Sequence, residues 1–332
     1  MIYVENLSKV YKRFERRSGI AGAIKDLFHR EYTDFNAVNG ISFHIPEGQI
    51  VGFIGPNGAG KTTTIKMLTG IMHPTGGEIK AAGFNPFEER KKLAQVIGVL
   101  FGKRSNLLWD LPVDEGFNML MELYNVGDEG KGRLTELKRI VDIEPLLHVP
   151  VRKLSLGQRT LCEIVASLLH NPKILFLDEP TIGLDLFAKE QVRNLVKYVN
   201  ENWGVTVFLT THDLSDIRIL AKQVILISKG KILYDGTLSG LLEKSKELPK
   251  TITLSVESNK EDTINTLSNI KGVNSIDIDG EGRLAVDYIQ SMVSSSEIIK
   301  AAMECANILD ITISDVDIEE VVRYMYNGEE VK

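Results

Sequence analysis

Cysteine is almost missing from this chain. Cys162 and Cys305 are the only two in 332 residues, and neither falls in a CxxC or Cys/His array. A redox pair or Cys/His metal array is excluded, and both read as inert core thiols. Long apolar runs are missing as well: no stretch approaches the roughly 18 residues a membrane span requires. The opening MIYVENLSKVYK lacks the apolar centre of a signal peptide, which predicts a cytoplasmic protein. An excess of positive charge is also absent. With 39 basic and 45 acidic residues the net charge is -6, so nothing pulls the chain generally toward nucleic acid, and no nucleic-acid partner is expected. What is present, 43% hydrophobic and 25% charged residues, is enough for a full core and excludes disorder. At roughly 100 to 200 residues per domain, the length predicts one large and one small domain.

Apolar runs at Ile50–Ile54, Ile174–Leu177, Val205–Leu209 and Val224–Ile227 alternate with amphipathic helix-length segments, which is the pattern of an α/β fold. The second and third runs are almost wholly apolar, as central strands of a sheet covered on both faces are. The polar stretch LLEKSKELPK, residues 241–250, predicts a boundary between a domain over 1–245 and another over 250–332. Past it the order of elements reads β-α-β-β-α-β, a ferredoxin-like α+β arrangement.

Residues 55–62, GPNGAGKT, fit GxxxxGK[ST] between a strand ending at Ile54 and a helix over Thr62–Leu68, the context a phosphate-binding loop requires. Gly55, Asn57, Gly58, Ala59 and Gly60 would wrap phosphate with backbone NH groups at a helix amino terminus. Lys61 would offset β/γ-phosphate charge, Thr62 would reach Mg²⁺, and Thr63 completes the ATP-binding run GPNGAGKTT. ILFLDEP then puts Asp178 and Glu179 at the carboxyl end of a buried strand, where ligands bind in open α/β sheets. Asp178 suits the metal's water shell. Glu179 suits the attacking water.

Between these segments stands LSLGQR, residues 154–159, which closely resembles the signature of ATP-binding cassette (ABC) proteins. With Asp185 in GLD and His212 in TTHD, motif order and spacing resemble an ABC nucleotide-binding domain over about 240 residues. The resemblance implies a P-loop cassette with a mostly parallel core sheet, an antiparallel β subdomain and a helical subdomain at about 105–170. It also implies two cassettes, identical or different, sandwiching two ATPs. Ser155, Leu156, Gly157 and Gln158 of one chain would then face the nucleotide of the other, with Asp185 at the contact. His212 would act as the switch histidine beside the γ-phosphate. Tyr11, in LSKVY, matches the adenine-stacking aromatic, with core packing as the other reading.

The sequence departs from the family at three places. Leu156 replaces the usual second glycine of the signature. VLFGKRSNLLWDLP resembles the glutamine-loop region of drug and polysaccharide exporters but carries Lys103 where Gln is expected. Lysine has three donors and no acceptor, so it cannot ligate Mg²⁺ as an amide oxygen does. It would point to solvent, to a subunit contact or to the γ-phosphate. Residues 12–34 form an insertion in which Ile20, Ile24, Leu27 and Phe28 make one apolar helix face among Arg16, Arg17, Lys25 and Arg30. Such a helix docks on a membrane or partner, or on its own domain. The expectation is an ATPase subunit of an exporter, peripheral on the inner face of the membrane through separate membrane-spanning subunits. A translation or DNA-repair ABC ATPase, and a weakly hydrolysing regulatory cassette, are the alternatives.

Overall fold

The computed structural model describes residues 1–14, 32–102, 105–211, 213–243, 249–314, 321–322 and 324–326. The chain divides into two compact units, Met1–Gly236 and Thr237–Lys332. The border thus falls ahead of the polar stretch at 241–250, because Lys231–Thr237 is the last strand of the core sheet and the helix Leu238–Glu243 sorts with the second unit.

In the first unit, strands β1 (Ile2–Phe14) and β2 (Tyr32–Ile45) form a long antiparallel ladder. After β3 (Ile50–Ile54) and helix α1 (Lys61–Leu68), β4 (Gly76–Ala81) completes that sheet in the order β2-β1-β4. Ile2 and Val4 are buried while Tyr3 and Glu5 between them are exposed, the alternation of a sheet with one face on the core. The ladder continues through Lys12↔Asp34, Arg13↔Thr33 and Phe14↔Tyr32. Both ends of the 12–34 insertion are therefore strand, fixed by backbone pairing rather than by apolar periodicity. The helix expected through Ile20, Ile24, Leu27 and Phe28 lies outside the described residues.

Helix α2 (Arg90–Ala94) leads to β5 (Ile97–Phe101). Helices α3 (Val113–Leu123), α4 (Gly127–Leu137) and α5 (Leu156–Leu168) then precede β6 (Ile174–Asp178). Helix α6 (Leu186–Trp203), β7 (Thr206–Thr211), α7 (Leu214–Leu220), β8 (Gln223–Ser228) and β9 (Lys231–Thr237) complete the unit. The core sheet runs β5-β6-β7-β3-β8-β9. Strands β5, β6, β7, β3 and β8 pair in parallel, and β3, β6 and β7 are buried at every position. Phe53 of β3 and Phe208 of β7 lie 5.2 Å apart, with Phe43 of β2 and Phe176 of β6 against them. Each ring so buried contributes roughly 1.5 to 3 kcal/mol. Parallel register brings Ile54 opposite Thr211, Asp178 opposite Thr210 and Phe101 opposite Asp178. The segments after β3, β5, β6 and β7 consequently leave one edge of the sheet.

The second unit contains the short helix α8 (Leu238–Glu243), β10 (Pro249–Val256), α9 (Lys260–Ser268), β11 (Val273–Ile278), β12 (Leu284–Ile289), α10 (Ser295–Cys305) and β13 (Ile308–Ser314). Its antiparallel sheet runs β11-β12-β10-β13, the ferredoxin-like order. Alternate residues Ile252, Leu254 and Val256 meet Leu284, Val286 and Tyr288 in a core closed by Leu267, Ile298 and Ala302. Ser294 and Glu297 cap α10 reciprocally.

Candidate active site

The loop Gly55–Gly60 links β3 to α1. Gly60 has φ of +111°, and a β-carbon there would sit 2.5 Å from the Ala37 carbonyl oxygen, so only glycine fits the turn. Helix α1 has no side-chain cap and no acid in its first turn, leaving its leading NH groups and positive dipole end for an anion. Asn57, Gly58 and Thr62 are exposed and Ala59 is buried. The buried Lys61 ammonium donates to the carbonyls of Gly55 at 2.6 Å and Pro56 at 3.3 Å. It also lies 3.3 Å from Glu179 Oε1. One cation therefore spans the glycine loop and the acidic strand end.

Asp178 is 8% exposed. Its Oδ2 accepts from the Thr62 hydroxyl at 3.0 Å, and its Oδ1 accepts from the Thr210 hydroxyl at 2.7 Å. Glu179 has φ of +53°, a left-handed conformation costly for a side chain of its size and the kind of strain concentrated at functional sites. Its amide donates to both the carbonyl and the hydroxyl of Thr210.

The signature segment is a capping box. Ser155 Oγ accepts from the Gln158 amide, and Gln158 Oε1 accepts from the Ser155 amide, satisfying helix-end donors that would otherwise be unpaired. Gly157 is buried because α6 passes close by; a β-carbon there would be 2.7 Å from Ala188 Cβ. Leu156 lies 43% exposed. Asp185 caps α6 through its Oδ1 and the Ala188 amide at 2.8 Å. Tyr11 pairs with Phe35 across the β1/β2 ladder, donates to Met72 Sδ at 2.9 Å, and has Lys9 Nζ 5.5 Å from its ring centre.

Several participants escaped the sequence reading. Asp216, wholly buried on α7, accepts from Arg193 Nε of α6 at 2.7 Å and from the Thr181 hydroxyl at 2.5 Å. Thr211 Oγ1 is 3.4 Å from the same carboxylate. Lys189 pairs with Asp213 at 2.6 Å. Burial pulls the Asp213 carboxyl upward, but the Lys189 ammonium and Ser215 hydrogen bonds outweigh it and hold it at about 2. Glu163 of α5 accepts from the Ser105 hydroxyl and from the Asn106 amide at 2.8 Å. Burial nevertheless raises its pKa above the ordinary glutamate value. The contacts of Arg193, Thr181, Lys189, Ser105 and Asn106 with these carboxylates span 23 to 58 residues, so no short motif announces them. The parallel pairing of DEP with TTHD was the available signal for Thr210. Lys103 and His212 lie outside the described residues.

A glycine loop between a parallel strand and a helix, facing a strand-end carboxylate pair, defines a nucleoside-triphosphate site of the P-loop class. Residues 38–182 match the family model described as ABC transporter. The bacitracin transport ATP-binding protein BcrA of Bacillus licheniformis is 33% identical over 216 residues, covering 65% of this chain and 70% of that one. The ABC transporter ATP-binding protein NatA of Bacillus subtilis (strain 168) is 31% identical over 63% of this chain and 85% of its own. The methionine import ATP-binding protein MetN of the same organism is 30% identical over 81% and 75%. Among solved structures, a dimeric post-hydrolysis state of the ATP-binding cassette MJ0796 bound to ADP and Pi superposes with a TM-score of 0.59. It is 26% identical and covers 72% of this chain and 99% of that one. The chain belongs to the ABC transporter family, as an ATP-binding subunit whose ATPase activity powers transport. Among the described residues, no helix is long and apolar enough to cross a membrane.

Proposed function

We propose that this subunit hydrolyses Mg²⁺·ATP between two cassettes at the inner face of a membrane and drives export through separate membrane-spanning subunits. The observation that carries the chemistry is Lys61 Nζ set between the Gly55 carbonyl and Glu179 Oε1, beside the Thr62–Asp178 pair. Lys61 and the loop amides bind the β- and γ-phosphates. Glu179 takes a proton from water as its oxygen attacks the γ-phosphorus, and the bond to ADP breaks. His212 contacts the γ-phosphate, and Tyr11 stacks on adenine.

Thr62 Oγ1 and the Asp178 carboxylate are hard oxygen donors side by side, suited to Mg²⁺. Among the described residues, no group of three or more His, Cys, Asp or Glu offers a full cage. Thr62 and Asp178 would hold the ion, which when bound would offset phosphate charge.

Dimerisation is supported by exposed apolar side chains around the signature and after Asp185: Leu156, Ile182, Leu186 and Phe187, the last two about 70% exposed. Surface of this kind marks an interface. Ser155–Gln158 then completes the other chain's site, in a homodimer or a heterodimer. The likeness of Phe101–Pro112 to exporter subunits supports export. One observation favours import instead. The match to MetN covers 81% of this chain, more than its first unit holds.

Light scattering of Glu179→Gln with ATP tests the sandwich. A doubled mass, abolished by Ser155→Arg, is expected; a monomer at high concentration with ATP, or full turnover in Ser155→Arg, refutes it. Co-expression with adjacent membrane subunits tests direction. Bacitracin resistance accords with export, and accelerated methionine uptake refutes it.

A further inference from the structure

The core sheet separates the two halves of the site by one strand. β7 lies between β3, which carries the phosphate loop, and β6, which carries Asp178 and Glu179. At its carboxyl end Thr210 stands in register with both Phe53 of β3 and Asp178 of β6. Thr210 is wholly buried, so its hydroxyl has to find its partners inside the protein. It finds two. Its single proton goes to Asp178 Oδ1 at 2.7 Å, and its oxygen accepts from the Glu179 amide at 3.2 Å.

Both bonds act on groups that the site depends on. With Oδ1 held by Thr210, Asp178 meets the Thr62 hydroxyl chiefly through Oδ2 at 3.0 Å, with Oδ1 at 3.3 Å. The Glu179 amide, shared between the carbonyl and hydroxyl oxygens of Thr210, belongs to a residue in the left-handed region at φ +53°. A glutamate keeps that conformation only where its surroundings fix it, and the bond to Thr210 is one such fixture. The Glu179 carboxylate then stands 3.3 Å from Lys61 Nζ.

We infer that Thr210 is a positioning residue for ATP hydrolysis: its hydroxyl locks Asp178 and the backbone of Glu179 into one register. This rests on the roles given above to Asp178 and Glu179. Wholly buried, Thr210 acts through Asp178 and Glu179. Valine has nearly the same shape without the hydroxyl, so Thr210→Val leaves the packing of β7 in place while Asp178 Oδ1 loses a donor. The Glu179 amide keeps only its backbone acceptor. Serine restores the hydroxyl without the methyl group.

The test uses the full chain as wild type, Thr210→Val, Thr210→Ser and Glu179→Gln. It measures ATP affinity in EDTA, kcat, KM, and the Mg²⁺ concentration giving half-maximal rate. A lost bond to a charged partner predicts that Thr210→Val lowers kcat by about tenfold to a hundredfold. ATP affinity without metal stays near wild type, and more Mg²⁺ is required. Thr210→Ser recovers most of kcat. Wild-type kcat and Mg²⁺ dependence in Thr210→Val beside an inactive Glu179→Gln overturn the inference and leave Thr210 a packing residue. Equal losses in the valine and serine forms overturn it too, because the methyl group would then be what matters. Normal hydrolysis by Glu179→Gln refutes the assignment of that carboxylate instead. Should Thr210→Val fail to fold, Thr210→Cys, with its weaker donor, is expected to give a kcat between wild type and Glu179→Gln, and wild-type kcat there overturns the inference.

Discussion

Replacing Asp216 by alanine perturbs the most deeply buried charge pair beside the site. The Asp216 carboxylate is 0% exposed and the Arg193 side chain 10%, with Arg193 Nη2 2.5 Å from Oδ1. At an effective dielectric constant near 20, charges this close attract by roughly 6 kcal/mol, most of which desolvation offsets. The pair is therefore worth little against a well-packed apolar replacement. Removing one member is different, because a guanidinium stays buried without its counter-charge, at a cost of about 3 to 5 kcal/mol. Set against a total stability of roughly 5 to 15 kcal/mol, that is a large fraction. Urea unfolding followed by tryptophan fluorescence reads it cleanly, since the only two tryptophans, Trp109 and Trp203, both lie in the first unit. Asp216→Ala should lower the unfolding free energy by that amount, read as a lower midpoint at constant slope, and Asp216→Leu combined with Arg193→Met should regain most of it. Turnover should fall as well. Asp216 holds Thr181, two residues after Glu179, and Thr211, at the end of β7, and small misplacements of catalytic groups are costly. A cost below about 1 kcal/mol for Asp216→Ala would contradict the buried-pair reasoning.

Three further outcomes are expected. Gly60→Ala should abolish the thermal shift given by ATP, since the turn has no room for a β-carbon; a normal shift would show that the loop rearranges freely. Asp213, held at about 2 in the fold against an ordinary 3.8, adds stability that is present above pH 3.8 and lost as pH falls toward 2. Full conversion would be ~2.4 kcal/mol, cut to about 1 by solvent screening. Lys189→Met should reduce that acid-side loss in urea midpoints between pH 5 and pH 2.5, with the Ser215 hydrogen bonds keeping part of it, and an unchanged pH dependence would refute it. Lys103→Gln should raise the Mg²⁺-dependent rate by about tenfold, measured against Mg²⁺ concentration with the membrane subunits present; a slower rate at every level would make the lysine an active participant.

How much of this was legible in the sequence follows from the range of the interactions. The glycine loop and the apolar run before Asp178 are local, and their strand and helix lie within a residue or so of expectation, at Ile50–Ile54, Lys61–Leu68 and Ile174–Asp178. The ferredoxin-like order was readable too, because Ile252, Leu254 and Val256 alternate strictly. β1 and β2 were harder. Their outer reach, Val10–Phe14 paired with Tyr32–Asn36, mixes apolar and polar residues without strict alternation, so side-chain periodicity carried no strand signal. Asp216, Arg193 and Thr210 are meaningful only once α6, α7 and β7 are brought beside β6. LSLGQ carries two signals in the same letters, a capping box through Ser155 and Gln158 and a resemblance to the family signature.

Glu179, held beside Lys61 at the end of β6, is proposed to act on the attacking water. Phosphate release by purified Glu179→Gln, measured alongside its ATP affinity, tests this most directly. Wild-type affinity with hydrolysis reduced to background is expected, whereas Lys61→Ala loses affinity first. Wild-type turnover in Glu179→Gln would contradict it.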